Sequence, residues 1–121
     1  MNDLTTPTTD EEMQERLDEV RGLMAETLEA TTVGDVIRSS RSILTKGKML
    51  RSRMAFRIGP KAGVSHETLV HSASAVELIH TASLLHDDVI DGGLLRRGAP
   101  TFWVERGVTG AILVGDMMLF K

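Results

Sequence analysis

The chain contains no cysteine, which excludes disulfides and thiolate-bound metals. It has no excess of basic charge either. The net charge is -3, so a nucleic-acid binder relying on a broad basic face is disfavoured. Long apolar runs are missing: the longest, Ala111 to Phe120, is interrupted by Gly115 and Asp116 and is too short for a bilayer. Met1 to Thr9 is polar and lacks the apolar centre of a signal peptide. No β-type alternation, repeat or low-complexity tract occurs. These absences predict a soluble, cytoplasmic protein with no nucleic-acid partner and no membrane span. Its 121 residues allow one domain, and 41% hydrophobic with 26% charged residues predicts a folded one.

The pattern along the chain is helical. Residues 1–8 read as a disordered leader ahead of a domain at 9–121. Thr9 and Glu12 form a capping-box pair, and Met13, Leu17, Val20, Met24 and Leu28 then recur as one apolar stripe. A second helix is expected from about Val33 to Leu44 and a third from Met49 to Arg57, ended or kinked by Gly59-Pro60. Ser65 is a good N-cap for a long fourth helix reaching about Ile90, which Gly92-Gly93 stops. After a loop, Leu94 to Pro100, a short helix is expected from Phe102 to Arg106, with Phe102 and Trp103 as core anchors. A last apolar helix starts near Gly110. The expected fold is therefore all-α, a bundle of about six helices. The last helix runs to Lys121 without a cap, as though completed by a further segment or a partner.

The main chemical signal is Asp87-Asp88-Val89-Ile90-Asp91 near the end of the long helix. Asp87 and Asp91, four apart, share one face about a turn from each other. Such a pair can hold a hard cation, and magnesium commonly enters with substrate phosphates. The alternative, solvated surface charges, is weakened because the dipole disfavours carboxylates at a helix C-terminus. His80 lies on the same face, seven residues earlier. Arg96-Arg97-Gly98 follows, offering guanidinium forks to diphosphate oxygens. A second basic cluster, Lys46 to Arg51, contains Gly47, which allows close approach to a phosphate.

Taken together, KGKMLR (46–51), ELIHTASLLHDDVID (77–91), LRRGAPT (95–101) and AILVGDMMLF (111–120) resemble the trans-type polyprenyl diphosphate synthases, in order and in spacing. The resemblance implies the N-terminal part of an isoprenoid-synthase-type helical bundle. It implies magnesium bound by Asp87 and Asp91, with Asp88 assisting, on an allylic diphosphate. It further implies that Arg96 contacts the allylic diphosphate, and that Arg97, Lys48, Arg51 and His80 contact isopentenyl diphosphate. Condensation of the two substrates, and a homodimer or a heteromer with a chain carrying a second aspartate-rich motif, follow from the same resemblance.

Lys46 and Ser52 stand where the family usually has a glycine and a proline, and Gly59-Pro60 interrupts a helix that usually continues. Family members also carry a second aspartate-rich motif and a further lysine in the C-terminal half, so this chain alone is expected to turn over negligibly. The small Ser83 and Ala82 ahead of Asp87, with Ile79 and Val76 further back, imply products of geranylgeranyl length or longer. Two rival readings stand beside this one. The first is a non-catalytic regulatory subunit of a complete synthase, against which the intact motifs count. The second is a metal-dependent phosphohydrolase built on His86-Asp87 with His66, His71 or His80. Against it, the step from His80 to His86 turns the rings about 120° apart. His86 is expected to pack between helices or cap a local hydrogen bond, and His66 and His71 to lie on the surface.

Overall fold

The computed structural model describes residues 6–30, 48–96 and 99–119, with the backbone alone at 96, 99, 102, 103, 105 and 106. Four α-helices are found there: α1 (Asp10–Glu29), α2 (Leu50–Ile58), α3 (His66–Asp91) and α4 (Phe102–Leu119). A 3₁₀ turn at Pro60–Ala62 joins α2 to α3. A two-residue ladder, β1 (Leu95–Arg96) with β2 (Ala99–Pro100), joins α3 to α4. The all-α class holds. Four helices are described against the six expected: one expected helix falls outside the described residues, and the two segments expected after residue 101 make up α4, which breaks at Gly107, whose backbone (φ 82°, ψ 163°) is not helical. The helix expected at 33–44, residues 1–5 of the leader and the side chains of Phe102 and Trp103 lie outside the described residues.

Helix boundaries follow local chemistry. The Thr9 hydroxyl accepts from the Glu12 amide at 3.1 Å, while the Glu12 carboxylate accepts from the Thr8 amide at 3.1 Å. One free amide of the first turn and one just ahead of the cap are thereby satisfied. At α3 the Ser65 hydroxyl accepts from the Thr68 amide at 3.2 Å. Gly92 ends the helix in the left-handed conformation (φ 68°), which costs glycine no Cβ clash. Gly59 is different. Its φ of -57° suits any residue, but a Cβ there would lie 2.3 Å from a Leu69 methyl and 2.7 Å from the Ala55 carbonyl. Glycine is needed for that close approach.

The apolar stripe of α1 packs as its spacing predicts: Met13, Leu17, Val20, Met24 and Leu28 are all buried. They join Phe56 of α2, Leu69, Val70, Ala73, Leu78, Ala82 and Leu85 of α3, and Ala111, Val114 and Met118 of α4 in one core. Each large side chain removed from water contributes about 1.5–3 kcal/mol. α3 packs against all three other helices, so it is the element the rest of the fold positions. His66 departs from expectation: it is partly buried, donates from Nε2 to Glu19 of α1 at 2.7 Å, and lies with its ring 6.2 Å from that of Phe56. Near the start of α3 the core side is still covered by α1 and α2, so a residue there meets a helix. His71, one turn on and facing out, is exposed.

Candidate active site

The exposed face of α3 carries the acidic pair. Asp87 and Asp91 are both exposed, and His80 is half-buried. Ser83 between them is exposed and donates its hydroxyl to the His80 carbonyl at 2.7 Å. Val76, Ile79 and Ile90 are exposed beside this polar line. Ala82 is fully buried in the core, so of the two small residues ahead of Asp87 only Ser83 borders the acidic face. Asp88 points another way. It is 8% exposed, and its side chain lies beside Gly93. The residues of the triplet therefore meet different surroundings, because successive positions on a helix are rotated by about 100°.

The loop after α3 is tied back onto the helix end. The Gly93 amide donates to the Asp88 carbonyl at 3.0 Å. Thr101, 2% exposed, donates its hydroxyl to the Gly93 carbonyl at 2.8 Å and its amide to the Leu94 carbonyl at 2.9 Å. Between these ties the chain folds into the β1–β2 hairpin, with Leu95 opposite Pro100 and Arg96 opposite Ala99. The backbone of Arg96 is thus held close after the acidic helix end. Arg97 lies outside the described residues.

The second basic cluster reaches α3 from α2. Lys48 is exposed at a turn made by Met49, the non-glycine residue with positive φ (54°) among the described residues. The buried Met49 side chain holds that uncommon left-handed conformation. The Lys48 carbonyl accepts from Arg53 Nε at 2.7 Å. Arg51 is fixed more firmly: its Nε and Nη2 both lie 3.0 Å from Oε1 of Glu77 on α3. The other oxygen, Glu77 Oε2, accepts from the Ser52 hydroxyl at 2.8 Å. Gly47, expected to allow close approach to a phosphate, lies outside the described residues.

The acidic face fits a magnesium ion on one side. Magnesium usually takes one or two carboxylates and fills its remaining positions with water and substrate phosphates. Asp87 and Asp91 offer such a pair, and among the described residues no cluster of three or more histidine, cysteine, aspartate or glutamate side chains is arranged to enclose a metal. The histidines offer no alternative metal cage. His86 donates from Nε2 to the Ile112 carbonyl at 3.2 Å and lies 3.4 Å from the Asp116 carboxylate. It packs between α3 and α4, as expected. His71 Nδ1 bonds the Glu67 carbonyl at 3.0 Å.

A family model described as polyprenyl synthetase matches residues 35–121. The chain belongs to the polyprenyl synthetase family. Among similar proteins of this family, a geranylgeranyl diphosphate synthase of Methanosarcina mazei is 33% identical over 112 residues, covering 92% of this chain and 35% of the relative. A farnesyl diphosphate synthase of Escherichia coli is 47% identical over 77 residues, 62% of this chain and 26% of the relative. A geranylgeranyl diphosphate synthase of Mycobacterium tuberculosis is 40% identical over 74 residues, 61% of this chain and 21% of the relative. The chain thus spans about a third or less of the length of the polyprenyl synthetases it matches.

Four residues that organise this face were not singled out as such from the sequence. Glu77 had a visible signal: it is a lone carboxylate inside the stretch Ala75 to Ile79, otherwise apolar, where a charge must find a partner. Ser52 had none beyond standing at an unusual position. Thr101 lay inside a motif without a stated role. Gly115 is required because a Cβ there would lie 2.3 Å from His86 Nε2, a contact between helices that no local pattern announces.

Proposed function

We propose that this polyprenyl synthetase segment carries the first half of a prenyltransferase site, condensing isopentenyl diphosphate with an allylic diphosphate to give a longer polyprenyl diphosphate. The observation that carries the reading is the exposed Asp87–Asp91 pair at the end of α3, with the hairpin that contains the Arg96 backbone tied onto that helix end. Acidic and basic residues so close along the chain suit a metal-bridged diphosphate better than either group alone. Magnesium, when bound with substrate, would neutralise the diphosphate leaving group. Asp87 and Asp91 would hold it, and Arg96 would face the allylic diphosphate. Lys48, Arg51, His80 and Arg97 would take isopentenyl diphosphate. The apolar side chains Val76, Ile79 and Ile90 would keep water from the reacting carbons. With Ser83 as the small residue on this face, products of geranylgeranyl length or longer are favoured.

Two carboxylates complete only part of such a site. Turnover would need residues beyond these 121, supplied by a longer chain or by a heteromeric partner, and a homodimer is the assembly the family resemblance favours. The test is an incubation with labelled isopentenyl diphosphate, an allylic diphosphate and magnesium, reading prenyl product with and without host protein fractions. Product that appears with a complementing fraction and is lost with Asp87→Ala supports the reading. Metal-independent binding of the allylic diphosphate that survives both Asp87→Ala and Asp91→Ala would overturn it.

A further inference from the structure

Glu77 is 3% exposed and sits in the middle of α3, outside the acidic motif and outside the basic clusters. Burying a carboxylate there is unfavourable unless hydrogen bonds satisfy it. Both of its oxygens are used. Oε1 receives Nε and Nη2 of Arg51, each at 3.0 Å, and Oε2 receives the Ser52 hydroxyl at 2.8 Å. The Arg51 side chain remains 44% exposed while the Glu77 side chain is 4% exposed. The anchor is therefore inside and the guanidinium reaches outward. An arginine has five N–H donors in a rigid fork, and this grip leaves the remaining ones available to an incoming anion.

We propose that Glu77 is a positioning residue for isopentenyl diphosphate, acting through Arg51; the inference rests on the prenyltransferase reading above. Two physical effects oppose each other here. The Glu77 charge subtracts from the positive field of Arg51, which lowers attraction for a diphosphate. Its two bonds also fix a long, rotamer-rich side chain before the ligand arrives, which removes an ordering cost on binding. The buried, fully satisfied geometry points to the second effect as the larger.

The test is titration of the chain with isopentenyl diphosphate for the unsubstituted protein, Glu77→Gln, Arg51→Met and the double variant. Arg51→Met should weaken binding about tenfold or more, and Glu77→Gln about tenfold, since a charge-assisted fork is lost in each case. The double variant should bind no more weakly than Arg51→Met, because Glu77 has nothing left to position. A purely structural role would instead give multiplying losses. If Glu77→Gln does not fold, the Arg51 Nε–H resonance of the unsubstituted protein serves: a protected, resolved signal is expected, and a rapidly exchanging one overturns the proposal. Unchanged or tighter binding in Glu77→Gln overturns this inference alone. Absence of binding by the unsubstituted chain overturns the prenyltransferase reading and this inference with it.

Discussion

Replacing Gly115 by alanine is expected to destabilise the fold, although it puts the best helix former in a helix. Propensity alone predicts a gain of about 1 kcal/mol. The added Cβ would lie 2.3 Å from His86 Nε2 and 2.6 Å from Cδ2, more than an ångström inside ordinary contact. The ring would have to withdraw, releasing its 3.2 Å bond to the Ile112 carbonyl and its 3.4 Å approach to Asp116. Overpacking of this kind costs about 1–3 kcal/mol and the lost hydrogen bond about 0.5–1.5 kcal/mol. The net destabilisation should be about 1–3 kcal/mol, a fall in midpoint of roughly 4–12 °C for a chain of this size, read by circular dichroism on heating. The decisive control is the same substitution in a His86→Ala background, where the obstacle is gone and Gly115→Ala should become stabilising by up to about 1 kcal/mol. Equal effects of Gly115→Ala in both backgrounds would refute the reasoning.

Other outcomes follow from the same geometry. Gly59→Ala should cost about 1–3 kcal/mol in denaturant titration, because the Cβ meets the Ala55 carbonyl as well as Leu69. Thr101→Val keeps the side-chain shape but removes the 2.8 Å bond to the Gly93 carbonyl. It should cost about 1–2 kcal/mol and speed amide exchange at Thr101 and Gly93. Asp87→Ala or Asp91→Ala should lower magnesium-dependent binding of an allylic diphosphate by about two orders of magnitude, measured by calorimetry, while leaving the melting midpoint nearly unchanged. Asp88→Ala should do the reverse, lowering the midpoint with little effect on metal dependence, since Asp88 is buried.

Elements written in local chemistry were legible in advance. The Thr9 and Ser65 caps, the α1 stripe, the stop at Gly92 and the break near Gly107 each depend on neighbours in sequence, and each is found where expected. The face shared by Asp87 and Asp91 is equally a matter of helical repeat. What sequence could not supply were relations between helices. His66 was expected on the surface and is partly covered by α1 and α2, and Asp88, expected to assist Asp87 and Asp91, is buried beside the loop. Glu77 and Arg51 are 26 positions apart, and only packing of α2 on α3 brings them together. The short hairpin escaped notice because two residues per strand give no alternation to read.

The polyprenyl synthetase match begins at residue 35, yet α1, which ends at Glu29, buries its whole stripe in the common core. Family boundary and mechanical boundary are therefore different places in this protein. A chain trimmed to the matched residues would keep every residue assigned to the chemistry but lose one wall of the core that holds α3. The acidic face would then rest on a helix that had lost the cover of α1, to which His66 and Ser74 are bonded at Glu19 and Val20. Any transplant of this site into another protein has to carry α1 with it, or supply an apolar surface of the same shape.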